Sequence, residues 1–136
     1  MNELIIHCDG GSRGNPGRAA IGIVIFDKNR KQIESHGEVI GTATNNIAEY
    51  TALRKALVMA AKLTKSEINI YMDSELVVKQ MKGEYKMKAA HLKPIFEKIK
   101  SLETNFSGIR YHHVPREDPL QAKADYLVNA ALDGEI

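Results

Sequence analysis

Apolar positions fall in short blocks as far as Ile40, then recur every three to four residues, so the chain changes period from strand to helix near its first third. Leu4 to Cys8 predicts a buried strand. Ala19 to Phe26 predicts a second and Gln32 to Ile40 a third, separated by the polar turn Asp27-Lys28-Asn29-Arg30. Gly10 to Gly17 predicts a glycine-rich turn between the first two. Such short connections favour an antiparallel meander.

From Asn46 to Leu63, Ala48, Ala52, Leu53, Ala56, Leu57, Ala60 and Leu63 recur at helical spacing. Glu67 to Met72 predicts a fourth strand, with Ile68, Ile70 and Met72 on one face. Ser74 to Met81 predicts a short helix ending near Gly83, Ala89 to Leu102 another, and Ile109 to Val114 a fifth strand. A last helix has Asp118 as N-cap and Pro119 as its first residue, with Leu127, Val128, Ala131 and Leu132 for its buried face. The order implies an α/β protein with a mixed five-stranded sheet flanked by helices.

Length and composition narrow this further. A chain of 136 residues, 43% hydrophobic and 26% charged, can bury one core and is expected to form one domain over residues 1–136. Wholesale disorder is excluded, and no apolar run approaches the ~18 residues of a membrane span. The N-terminal run carries Glu3 and lacks a basic lead, so it predicts a strand and not a signal peptide. Cys8 is the only cysteine, which excludes an internal disulfide framework or a multi-cysteine zinc site and makes a reducing, cytoplasmic setting the default. A net charge of +2 is too mild to announce a nucleic-acid binder. Lys79 to Lys100, however, holds seven lysines against Glu84 and Glu97, either a solvated helical face or a basic contact surface.

Four acids stand where secondary structure changes or exposes them: Asp9 at the end of the first strand, Glu49 in the first turn of the long helix, Asp73 at the end of the fourth strand, and Asp125 about two turns into the last helix. Each has an ordinary explanation. Asp9 suits a turn, Glu49 complements a helix dipole, Asp73 caps a helix, and Asp125 faces solvent. If the first and fourth strands are neighbours, Asp9 and Asp73 meet at one sheet end. Converging carboxylates would raise one another's pKa, and hard cations such as Mg²⁺ would relieve the repulsion.

The runs Asp9-Gly-Gly-Ser-Arg-Gly-Asn-Pro-Gly17, Thr44-Asn-Asn-Ile-Ala-Glu49-Tyr50, Met72-Asp-Ser-Glu-Leu-Val77 and Ala124-Asp-Tyr-Leu127 occur in this order. They resemble the four motifs of type 1 ribonuclease H, and the similarity extends from about Leu4 to Ala131. The resemblance implies a ribonuclease H-like fold with strand order 3-2-1-4-5 and the second strand antiparallel to the rest. It implies an endonuclease that hydrolyses the RNA strand of RNA–DNA hybrids, leaving 5′-phosphate and 3′-hydroxyl ends. By position Asp9, Glu49, Asp73 and Asp125 would be both catalytic residues and ligands to two Mg²⁺ or Mn²⁺ ions. One ion would prepare the attacking water and the other would stabilise the departing 3′ oxygen. Asp9 would bridge both, Glu49 and Asp73 would favour the first, and Asp125 the second.

The resemblance also makes Gly11, Ser12, Asn15, Asn45 and Glu49 candidates for reading 2′-hydroxyls in the minor groove, which distinguish RNA from DNA. Thr44 and Asn46 would contact backbone phosphate or hold their loop, capping of the helix by Thr44 or Asn45 being the structural alternative. Lys79 and Lys82, with Lys86 and Lys88, would partly replace the basic protrusion, which is shortened here and lacks tryptophan. Phosphate neutralisation would make binding fall with salt.

Departures from the family pattern are equally specific. Many bacterial members carry a histidine in the loop after the fifth strand. This loop, Val114 to Asp125, has none, and Arg116 or Glu117 could substitute, as Val-Pro-Arg-Glu resembles archaeal-like members. Gln121 stands where the family often has asparagine. His112 and His113 are expected to pack, as are the scattered methionines and Cys8; His7 shares a face with Asp9 and is expected to be a buried structural histidine. A monomer free of membrane is expected. Two alternatives stay open: a hybrid-binding protein with little or no catalysis, and a nuclease acting on double-stranded RNA or RNA–DNA junctions.

Overall fold

The computed structural model describes residues 2–136. Three strands come first: β1 (Leu4–Gly14), β2 (Gly17–Asp27) and β3 (Gln32–Ala43). Helix α1 (Asn45–Ala61) leads to β4 (Glu67–Met72), then α2 (Glu75–Met81), a 3₁₀ turn (Ala90–Leu92) and α3 (Lys93–Glu103). Strand β5 (Gly108–His113) and helix α4 (Pro119–Leu132) complete the order. The sheet runs β3-β2-β1-β4-β5, with β2 antiparallel to β1 and β3 and the β1–β4 and β4–β5 pairs parallel. This is the order and polarity that the motif resemblance implies.

Alternation along the strands divides the core into two layers. Leu4, Ile6 and Cys8 of β1, Ile21, Ile23 and Ile25 of β2, and Ile68, Ile70 and Met72 of β4 pack with Tyr50, Leu53 and Leu57 of α1 and Ile99 of α3. The opposite face is thinner: Ile5, Val24 and Phe26 meet Ala124, Leu120 and Leu127 of α4. Among the described residues no helix is long and apolar enough to cross a membrane.

The largest departure from the sequence reading is the glycine-rich run. It is strand through Gly14, registered against β2 from Gly10↔Ile21 to Gly14↔Gly17, and only Asn15 and Pro16 make the turn. Glycine is a poor strand former, yet Gly10 is required by packing: a Cβ there would lie 2.2 Å from the Ala48 carbonyl oxygen of α1. The expected helix Ala89–Leu102 also divides, because Pro94 in an unbroken helix would clash with the carbonyl four residues earlier; α3 begins anew at Lys93 with Pro94 in its first turn. Of the two histidines expected to pack, His112 stacks on Tyr71 at 4.4 Å between ring centres, whereas His113 is exposed.

Helix α4 approaches β2 at Gly22, where an added Cβ would lie 2.2 Å from the Ala124 carbonyl oxygen and 3.0 Å from Leu127 Cβ. Gly22→Ala is therefore expected to destabilise the fold by about 2–3 kcal/mol, measured as a lowered urea midpoint at unchanged m-value. An unaltered midpoint would mean that α4 does not sit this close.

Candidate active site

Strand β1 outruns its parallel neighbour. Pairing with β4 covers Leu4↔Ile68 to His7↔Tyr71 and then stops, while β1 continues along β2. The sheet parts there, and Asp9 lies on β1 just past the parting. The sequence predicts Asp9 at a strand end; it lies instead in mid-strand, two residues past the end of the β1–β4 ladder. It is 7% exposed. Asp73 follows β4 directly, so the two acids flank the opening as expected for neighbouring strands.

Helix ends settle which acids are committed elsewhere. Thr44 caps α1 by accepting from the Ile47 amide at 3.2 Å. The first turn of α1 contains no acid, and Glu49 falls in the second, beyond the role of dipole partner. Ser74, not Asp73, caps α2, accepting from the Val77 amide at 3.3 Å. Asp118 caps α4 through the Leu120 and Gln121 amides, each at 3.0 Å, with Pro119 behind it as expected. Asp125 is half-buried on the same helix. Asp9, Glu49, Asp73 and Asp125 thus remain uncapping acids, and all four line one open cleft of about 660 Å³.

Burial and crowding act in the same direction on two of them. Removal from water, followed by the charges of Asp73 and Asp125, pushes the Asp9 carboxyl up to about 8; Asp125 is near enough to share a hydrogen bond with it. Burial also raises Glu49 to about 7, opposed by a hydrogen bond with Ser74 and reinforced by Asp73. Beneath them the buried Cys8 thiol is raised above its usual range, first by burial and then by Asp9.

Two arginines line the cleft. Arg13 is engaged by Asp133 at 2.5 Å, while Arg116, 73% exposed, brings Nε to 3.7 Å from Asp73 Oδ2. Hard oxygen donors from four segments fit a divalent cation of the Mg²⁺ or Mn²⁺ type. Among the described residues no three His, Cys, Asp or Glu side chains enclose an ion as they stand. Water and substrate phosphate would complete such a sphere, the usual habit of Mg²⁺.

The expected substrate contacts separate into two groups. Gly11, Ser12, Asn45 and Arg116 line the cleft with the acids. Asn45 Oδ1 accepts from the Ser12 amide at 2.9 Å and from its hydroxyl at 3.1 Å, and the Asn45 amide donates to Asn15 Oδ1 at 3.1 Å. Asn15 therefore ties the hairpin tip to α1, and Thr44 is the helix cap; neither lines the cleft. Asn46 is half-buried beside them. Lys79 and Lys82 lie outside the cleft, and Lys79 is held by Glu75 at 3.5 Å and over the Tyr85 ring at 5.1 Å.

Sequence reasoning gave no site role to Arg13, Ser74, Asn129 or Val128, which also line the cleft. A serine at the predicted start of a helix is a capping signal that could have found Ser74. Nor did it find the ring ladder in which Tyr71 stacks between His7 and His112, since that depends on strand register.

A mixed β3-β2-β1-β4-β5 sheet with acids at the parting of β1 and β4 defines the ribonuclease H class of fold. Residues 7–131 match the family described as reverse transcriptase-like. The solved RNase H1 of Halobacterium salinarum is 39% identical, covering 97% of this chain and 98% of that one with a TM-score of 0.91. LC11-RNase H1, solved in complex with an RNA/DNA hybrid, is 43% identical, covering 97% and 98%, with a TM-score of 0.88. The bifunctional protein Rv2228c of Mycobacterium tuberculosis is 40% identical over 96% of this chain. The chain spans about a third of that relative's length, 36%. The chain belongs to the type 1 ribonuclease H family.

The raised carboxyls give a pH dependence with a definite sign. Folded Asp9 and Glu49 hold protons that the unfolded chain releases near pH 4, so the folded state binds more protons between about pH 4 and 8 and stability falls as pH rises through that window. In EDTA the melting temperature is expected to decline from pH 5 to pH 9. Asp9→Asn is expected to flatten that slope and to stabilise the protein at pH 8 by about 1–3 kcal/mol. A stability that rises over the same range would contradict the crowding of these acids.

Proposed function

We propose that the chain is a divalent-metal-dependent endonuclease that hydrolyses the RNA strand of RNA–DNA hybrids, leaving 5′-phosphate and 3′-hydroxyl ends. The observation that carries this reading is the gathering of four uncapping carboxylates in one open cleft, with Asp9 raised to about 8. Similarity over nearly the whole chain to an RNase H1 solved with an RNA/DNA hybrid supports the substrate. Residues 1–136 would act as one ribonuclease H domain, monomeric and cytoplasmic.

Asp9, Glu49, Asp73 and Asp125, which line one cleft, would hold two Mg²⁺ or Mn²⁺ ions. Those residues would thereby place Lewis-acid activation at the attacking water and charge stabilisation at the departing 3′ oxygen. The remaining work falls to the chain. Gly11 leaves space for a backbone, since the nearest atom to an added Cβ is Val128 Cγ1 at 3.7 Å. Ser12 and Asn45, already bonded to each other, present a preformed polar edge to the minor groove. Glu49, on the neighbouring turn of α1, would share in reading the 2′-hydroxyl. Thr44, Asn15 and Asn46 would hold that edge in place. Arg116 would contact phosphate beside Asp73 and stand in for the loop histidine of other members. Lys79 and Lys82 would neutralise phosphates of the DNA strand.

The test is cleavage of an end-labelled RNA–DNA hybrid with Mg²⁺, Mn²⁺ or EDTA, alongside single-stranded RNA, double-stranded RNA and an RNA–DNA junction. Hybrid cutting that EDTA abolishes is expected. Asp73→Asn is expected to lower its rate about 10²-fold or more while the circular dichroism spectrum is retained. Hybrid affinity is expected to fall as salt rises from 50 to 200 mM. Preferential cutting of double-stranded RNA would replace the substrate, and salt-dependent binding without cutting in any metal would replace the enzyme by a binding protein.

A further inference from the structure

The apolar layer between α4 and the sheet contains one buried polar network that the proposed chemistry does not use. Gln121 is fully buried on α4, one helical turn before Asp125 and so on the same side of that helix. Its Nε2 donates to the Cys8 carbonyl at 2.9 Å, and its Oε1 lies 2.9 Å from His7 Nδ1. The Cys8 carbonyl only accepts, which fixes the amide: Nε2 must face Cys8 and Oε1 must face His7. His7 Nδ1 therefore carries the proton and donates. Its Nε2 is left a bare acceptor, buried with no partner. The imidazole is held in place by stacking on Tyr71 at 4.7 Å and by an edge contact with Phe26 at 6.0 Å between ring centres.

The network is placed where the sheet parts. Pairing of β1 with β4 ends at His7, Cys8 is the next residue, and Asp9 the one after. Gln121 thus donates to β1 at the point where β4 no longer flanks it. The surroundings are Ile5, Val24, Phe26, Ala124, Leu120 and Leu127, an apolar layer in which His7 Nε2 already stands unpaired. A buried amide adds what an apolar residue cannot: two directional bonds that fix both the rotation of α4 and its height along β1. Whenever Asp9 and Asp125 are both ionised, their repulsion pushes α4 away from β1, and these bonds oppose it.

We propose that Gln121 is a positioning residue that sets the spacing of Asp9 and Asp125, through Cys8 and His7, and thereby the affinity of the cleft for its divalent ion. This rests on the reading of those acids as metal ligands. The experiment is Mn²⁺ binding to the full chain, followed by the electron paramagnetic resonance of free Mn²⁺, for the wild type, Gln121→Leu, His7→Phe and a control, Leu57→Val. His7→Phe keeps an aromatic ring but removes the Nδ1 donor; Leu57→Val weakens the core beneath α1, remote from α4.

Gln121→Leu is expected to bind Mn²⁺ about tenfold more weakly or worse, and His7→Phe to shift in the same direction. The Mg²⁺ concentration for half-maximal cleavage should rise in step, with KM for the hybrid unchanged at saturating Mg²⁺, while Leu57→Val changes melting temperature only. Wild-type Mn²⁺ affinity in both Gln121→Leu and His7→Phe would overturn the positioning role and leave the proposed function intact. If Gln121→Leu does not fold, His7→Phe decides alone. A ¹⁵N spectrum showing His7 protonated at Nε2 only would also overturn it. A wild-type chain that binds no Mn²⁺ would overturn the reading of the cleft itself, and this inference with it.

Discussion

Repulsion among carboxylates is the constraint around which this molecule is arranged. Four acids that would separate in water are held in one cleft, and Asp9 is driven deep enough that its carboxyl keeps a proton near neutrality. Nothing in the acids themselves favours that arrangement. It is imposed by two packed layers, one pressing α1 against β1 and the other pressing α4 against β1 and β2. The core that stabilises the fold also supplies the force that crowds the site.

Close approach of main chains makes the crowding possible. Gly10 admits the first turns of α1 and Gly22 admits α4, each at a distance that any larger residue forbids. These two contacts bring Glu49 and Asp125 over the parting of β1 from β4. The parting matters as much as the packing. Had β4 kept pairing with β1, the space beside Asp9 would be filled by ladder hydrogen bonds; because that pairing stops at His7 and Tyr71, the space is a cleft with Asp73 on its far side.

Much of this was legible from residues alone, for reasons that differ by element. Period-two and helical alternation disclosed five strands and the long helix, and the Asp118-Pro119 pair marked the start of α4. The four acids could be picked out by motif, and all four line the cleft. What local reasoning misjudged was governed by tertiary contact. Glycine propensity argued for a turn where Gly10 is a strand residue shaped by Ala48, and the helix after Lys88 was drawn through Pro94. Thr44 takes the capping role that the sequence left open, and Asn15 ties hairpin to helix, a contact that no local pattern announces. The Gln121–His7 pairing joins residues 114 positions apart, a distance over which no periodicity carries information.

That separation has a bearing on how the protein is made. Asp9 lies on the first strand and Asp125 on the last helix, so the acidic set closes across almost the whole chain. Contacts of such long range form late in folding, after their connecting loops have been ordered. During synthesis, α4 is also the last of these elements to leave the ribosome. Every nascent fragment short of it lacks Asp125 and the Gln121 tie, even with the five strands already available to pair. For a chain proposed to cut RNA, the order of its elements delays assembly of the cutting site until α4 has been made.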